Sequence, residues 1–156
     1  MSDLNKLRDQ CGEAADANGW HARFNRIKAN PNTTGAELLD HIVSKTALIG
    51  CEVAEAIEEL RDGHGVKSVR YTIDGHEVSH VDDTHLVTFY HYLDADGDET
   101  ATNQIPKPEG YPTELADVII RALDLAWMLD IDIDAAVQEK LSHNATRGQM
   151  HGGKTI

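Results

Sequence analysis

One helical pattern limits the folds open to this chain more than any other feature. Thr34-Gly35-Ala36-Glu37 has the form of a capping box, with Glu37 reaching back to the cap. The pattern then runs unbroken to Leu60, and Gly63 and Gly65 end it. This is the longest helix expected in the fold. Its second half, "IGCEVAEAIEEL" (Ile49 to Leu60), carries Glu52, Glu55, Glu58 and Glu59. The question is whether these carboxylates wet a surface or are gathered to hold something.

Other elements arrange themselves around that helix. A first helix starts at a Ser2 or Asp3 cap, sets Leu4, Leu7 and Cys11 on one face and stops at Gly19. "WHARFNRIKANPN" reads as an irregular connector. Residues 66–93 are β-branched and aromatic around Asp74-Gly75, the signature of a β-hairpin. "DADGDETATNQIPKPEG" reads as a loop. Pro112 opens a third helix that reaches Leu129, and Asp132 or Asp134 caps a fourth that ends near Arg147. A Gly-rich tail follows. The expectation is an all-α fold, a bundle of about four main helices with a β-hairpin insertion near residues 66–93. The 156 residues suffice for a single domain, residues 1–156.

A net charge of -13 argues against a nucleic-acid polymer or an anionic membrane surface as partner. A phosphate compound would need a divalent cation to neutralise the protein locally. Cys11 and Cys51 have no metal-type spacing and read as reduced thiols. The polar start "MSDLNKLRDQ" is unlike a signal peptide, and no apolar run approaches the roughly 20 residues of a membrane span. A cytoplasmic protein is expected.

On a wheel of 100° per residue with Glu52 at zero, Ile49, Val53, Ala56, Ile57 and Leu60 fall between roughly 40° and 140°, the expected core face. Glu52, Glu55 and Glu59 form a strip at its margin, and Glu58 points away. On the third helix Glu114, Asp117, Arg121 and Asp124 form a narrow strip between apolar flanks. Such strips are more often solvated faces than ligand sites, and Asp117 could simply pair with Arg121. Both helices nonetheless repeat one geometry. Glu52 and Glu55 are three residues apart, as are Glu114 and Asp117. Side by side, the helices would bring four hard oxygen ligands together, a site for Mg²⁺ or Mn²⁺.

Glu52-x-x-Glu55 followed by Glu114-x-x-Asp117 resembles the metal motif of the MazG-like, all-α nucleoside triphosphate pyrophosphohydrolases. "KPEGYPTELADVIIRALD" (Lys107 to Asp124), "EKLSHNATRGQMHGGK" (Glu139 to Lys154) and "GWHARF" resemble segments of the phage and bacterial members. The similarity spans the chain except for about Val66 to Gln104. Many members carry a doubled glutamate where this chain begins the motif with Cys51. The resemblance implies Mg²⁺-dependent cleavage of a nucleoside triphosphate to the monophosphate and pyrophosphate, with Mn²⁺ able to substitute. It implies Glu52, Glu55, Glu114 and Asp117 as metal ligands. A metal-bound glutamate (Glu52 or Glu55), or Glu59, would take the proton of the attacking water. It also implies a homodimer or homotetramer, in the host cytoplasm if the chain is phage-encoded. For the base it leans to guanine.

Lys140, Asn144 and Arg147 share one face of the fourth helix. That face reads alone as solvated; with the resemblance it reads as phosphate and sugar contacts. Lys154 closes over the phosphates or belongs to a free tail. Trp20 and His21 are candidates for a base pocket, with Phe24 read as core. His76, His80, His85 and His91 lack a zinc pattern, and "DADGD" (Asp94 to Asp98) departs from the EF-hand loop. The competing reading is a non-catalytic helical protein that binds a cation or a basic partner through its acidic strips.

Overall fold

The computed structural model of the chain describes residues 3–83 and 88–147. Its elements are α1 (Asp3–Ala17), α2 (Ala22–Ala29), α3 (Gly35–Arg61), β1 (Arg70–Ile73), β2 (His76–Asp83), β3 (Thr88–Leu93), β4 (Glu99–Thr102), β5 (Lys107–Glu109), α4 (Tyr111–Met128) and α5 (Ile133–Ala145). The expected all-α fold is therefore corrected: beside five helices stands a five-stranded antiparallel sheet of order β4-β3-β2-β1-β5.

Two compact units partition the chain, with boundaries inside α3 and α4. The first comprises Met1–Leu48 and Ile119–Ile156, the second Ile49–Val118.

The helix ends follow the sequence signals. Thr34 Oγ1 accepts from the Glu37 amide at 3.2 Å, and a Glu37 carboxylate oxygen accepts from the Thr34 amide at 3.0 Å, the reciprocal pair of a capping box. The Asp132 carboxylate accepts from the Ala135 amide at 3.0 Å and starts α5. In the first unit Phe24, Leu123, Ala126 and Met128 are buried. Gly12 makes room there for Trp127, whose ring atoms occupy the space that a Cβ at this position would take. The connector expected at Trp20–Asn32 contains α2. Its residues 22–29 include neither Gly nor Pro, so nothing in them stops a helical turn, and Pro31 follows its end.

In the second unit Asp74 and Gly75 both take positive φ, 51° and 85°, as a two-residue type I′ hairpin turn demands. They join β1 to β2, and Ile73 beside them is 2 % exposed. The loop expected after Leu93 continues the sheet instead. Asp94 folds the chain back, its side chain accepting from the Asp96 and Asp98 amides at 3.0 Å, with Gly97 at φ 87°. The strand β4 then pairs with β3, and β5 pairs with β1 through Arg70 and Glu109. Turn residues so dense between two strands mark a hairpin, and Pro108 is admitted because β5 is an edge strand.

The helix α3 departs from its expected orientation. Of the face assigned to the core from the wheel, Ala56 is buried and Ile49 half-buried, but Val53, Ile57 and Leu60 are exposed, whereas Glu52 is buried. The inward arc is centred on the carboxylate side, and the apolar arc faces out.

Candidate metal centre

The second unit gathers the predicted carboxylates. Glu52 and Glu55 sit one turn apart on α3, and Glu114 lies in the first turn of α4. Each offers a carboxylate oxygen, and the three oxygens lie within 4.8 Å of one another. Glu52 and Glu114 are each 4 % exposed; Glu55 is exposed. Asp117 is half-buried and stands outside this triple, but its negative charge acts on Glu114. Of the four predicted ligands, three are therefore brought together, with the fourth close enough to matter electrostatically.

Burial, and then the charges of Glu55 and Asp117, push the Glu114 carboxyl above its usual range, while Lys107 works the other way. Among the described residues the Glu114 carboxylate accepts no hydrogen bond. A buried acid aimed at two other acids, without a donor of its own, is an arrangement that a divalent cation relieves. The donor set is all carboxylate oxygen, which suits Mg²⁺ or Mn²⁺ and not zinc or copper. Among the described residues no histidine joins such a group; His76 instead stacks on Tyr92 at 5.5 Å.

The sequence pattern assigns Lys107 no role. Its ammonium bonds a Glu109 carboxylate oxygen at 2.9 Å; that bond, and then the charges of Glu109, Glu114 and Glu55, hold its pKa above the usual range. The signal that could have found it is position: a lysine on a strand running into the helix that carries Glu114.

Glu59 is engaged elsewhere. Its two oxygens receive the Arg70 guanidinium at 2.7 and 2.9 Å, and His64 Nδ1 lies 2.8 Å from Oε2. The Arg70 hydrogen bonds hold its carboxyl below the ordinary range, which makes it a poor proton acceptor. The pair fastens β1 to α3 within the second unit.

The other predicted contacts lie in the first unit. Trp20 is 57 % exposed, with the Arg121 guanidinium 5.7 Å from its ring centroid. It borders a cleft of about 360 Å³ lined by Leu7, Cys11, Ile120 and Asp124, among others. His21 has no exposed surface. Its Nε2 lies 2.6 Å from Asp124 Oδ1, and its ring stacks on Trp127 at 5.2 Å. A substrate cannot touch such a ring, so His21 fixes the start of α2 and does not line a pocket. Lys140, Asn144 and Arg147 are exposed on α5. Lys154 and His85 lie outside the described residues.

Set against known families, curated proteins and solved structures, the chain matches none of them. Among the described residues no helix is long and apolar enough to cross a membrane.

Proposed function

We propose that this chain is a Mg²⁺-dependent nucleoside triphosphate pyrophosphohydrolase, releasing a nucleoside monophosphate and pyrophosphate. The observation that carries the reading is the meeting of Glu52, Glu55 and Glu114, two of them buried, from helices far apart in sequence. These three residues hold the ion and Asp117 completes its surroundings. Bound there, a divalent ion polarises the α-phosphoryl group and lowers the pKa of water.

The chain's own residues divide the remaining work. Glu52 or Glu55 accepts the water proton; Glu59, held ionised by Arg70, braces the sheet instead. Lys107 brings positive charge beside the acids. The sequence resemblance assigns phosphate and sugar contacts to Lys140, Asn144, Arg147 and Lys154, and Trp20, exposed in the first unit, is the candidate on which a base would stack.

The test is product analysis with a panel of ribo- and deoxynucleoside triphosphates, guanine nucleotides included, with Mg²⁺ and with chelator. Monophosphate and pyrophosphate in equal amounts, only with metal, are expected. Release of orthophosphate, or Mg²⁺ binding without turnover of any nucleotide, would overturn the proposal. The second outcome would leave the cation-binding reading in its place.

A further inference from the structure

The sheet of the second unit is open along an inner line. Strand β2 pairs with β1 only at Ile73–His76 and Thr72–Glu77. On its other side β2 stays paired with β3 from Val78 to Asp83, and a register shift between Val78 and His80 makes Ser79 the extra residue of a bulge. The Ser79 hydroxyl donates to the His91 carbonyl oxygen at 3.0 Å and pins that bulge. A bulge bends its strand and increases the local twist. Past it β1 follows β5 instead, through Tyr71–Pro108 and Arg70–Glu109. Among the described residues, the side of 78–83 that faces away from β3 therefore has no partner strand.

Where the strands part lies a cleft of about 600 Å³. Its lining comes from both banks: Arg70 and Tyr71 of β1, Glu77 and Val81 of β2, with Tyr90 of β3 and Ile105 ahead of β5. Ile105 is 85 % exposed, and Val81 and Tyr71 are each more than half exposed. The outer edges of the sheet are guarded. The strand β4 has four residues and begins with Glu99, and β5 has three and carries Lys107 and Pro108. The inner edge is longer, holds no proline and opens onto apolar surface.

We propose that this inner edge of β2 receives an extended, basic segment of a partner protein as an added strand. The backbone of the segment pairs with the open side of residues 78–83, and every second side chain enters the cleft. The open ladder selects a strand and not a helix, because a helix spends its own amides within itself. Charge selects a basic one. Arg70 lies at the cleft, but its guanidinium is bound to both oxygens of Glu59 at 2.7 and 2.9 Å. Glu77 is exposed, and its charge reaches Arg70. Among the described residues its carboxylate accepts no hydrogen bond. It is the charge left for an incoming side chain, on a protein whose -13 repels acidic segments. A second copy of this acidic chain is a poorer occupant for the same reason. The inference rests on the sheet of one unit and not on the proposed chemistry.

The experiment follows the backbone amide shifts of the isotope-labelled full chain on adding acetyl-Lys-Val-Lys-Val-Lys-Val-amide. Shifts confined to β2 and the cleft are expected, with a Kd of about 1 mM or tighter. The amides of residues 78–83 should also gain protection against hydrogen exchange. The same peptide with every backbone amide methylated keeps its side chains and loses its donors, so it should bind at least about tenfold more weakly. Exchanging its lysines for glutamates should weaken it as much, and Glu77→Lys should narrow that preference. No binding of the lysine peptide at millimolar concentration overturns the proposal. So do shifts spread over the whole acidic surface, which would report charge alone. Equal binding of the methylated peptide overturns it too, and would make the cleft a pocket for side chains or a small ligand. A wild type whose 78–83 amides are already protected by a second copy, with a doubled mass in solution, is a further contrary result. If Glu77→Lys does not fold, the methylated peptide decides alone.

Discussion

Replacing Glu114 by Gln should make the metal-free protein more stable and the metal-loaded protein less so. The substitution keeps the shape and removes one charge from a triple whose oxygens lie within 4.8 Å of one another. At 4.8 Å each like-charge pair costs about 0.9 kcal/mol in bulk water and about 3.5 kcal/mol at an effective dielectric of about 20. Glu114 takes part in two such pairs, and its burial together with the charges of Glu55 and Asp117 raises its pKa. A gain of about 2 kcal/mol at neutral pH is therefore expected, or about 4–8 °C in Tm for a chain of this size. The pH dependence fixes the cause. Below its ordinary value of 4.5 the carboxyl is protonated in both folded and unfolded chains, so wild type and variant should differ little. The wild type then loses stability as pH rises through the higher folded-state value, and the gap opens. With Mg²⁺ the order should reverse. Free ion at 100 times its dissociation constant stabilises wild type by about 2.7 kcal/mol, and the variant has lost a ligand. Urea unfolding of both proteins, with chelator and with Mg²⁺, at pH 4 and pH 7.5, gives every comparison. A variant that is less stable than wild type in chelator at pH 7.5, or a gap that does not change with pH, would refute the reasoning.

Two further outcomes test the supports of the site. Arg70→Ala should cost about 1–3 kcal/mol, the range for a charged hydrogen-bonded pair. Because Arg70 depresses the Glu59 carboxyl, this contribution is present at neutral pH and fades as pH falls through the depressed value, so acid titration of both proteins by circular dichroism should show their curves converging. Gly12→Ala should destabilise by about 1–3 kcal/mol, since the added methyl meets Trp127 down to its Cβ and the ring cannot simply swing aside; a thermal melt unchanged from wild type would show that α1 yields there at no cost.

What could be read from sequence was what local chemistry decides. The capping box at Thr34 and Glu37, the Asp132 cap and the Asp74-Gly75 turn each rest on a hydrogen bond or backbone angle within a few residues, and each is found. The strands β4 and β5 were hidden because their pairing partners are distant and their own residues are polar or, in β5, include Pro108. The short α2 was hidden because two large side chains and a following proline resemble a connector. For the carboxylates, spacing was enough to place Glu52, Glu55 and Glu114 together, but not to show that Glu59 serves Arg70, since the arginine lies on a strand beyond the helix stop.

The largest miss, the orientation of α3, follows from an assumption built into any wheel: that the most apolar arc is the buried one. That holds for a helix whose only neighbour is its own core. In this chain, turning α3 to bury Val53, Ile57 and Leu60 would carry Glu52 out to water and disperse the acidic triple. The observed orientation withdraws two carboxylates from solvent, Glu52 on α3 and Glu114 on α4, and leaves Val53, Ile57 and Leu60 of α3 against it. Under the proposed function a divalent cation at the triple would offset the first of these costs. Glu114→Gln should then weaken Mg²⁺ binding, read by calorimetry, while the protein stays folded; an unchanged affinity in the variant would mean that the burial of Glu52 and Glu114 has a cause other than the ion.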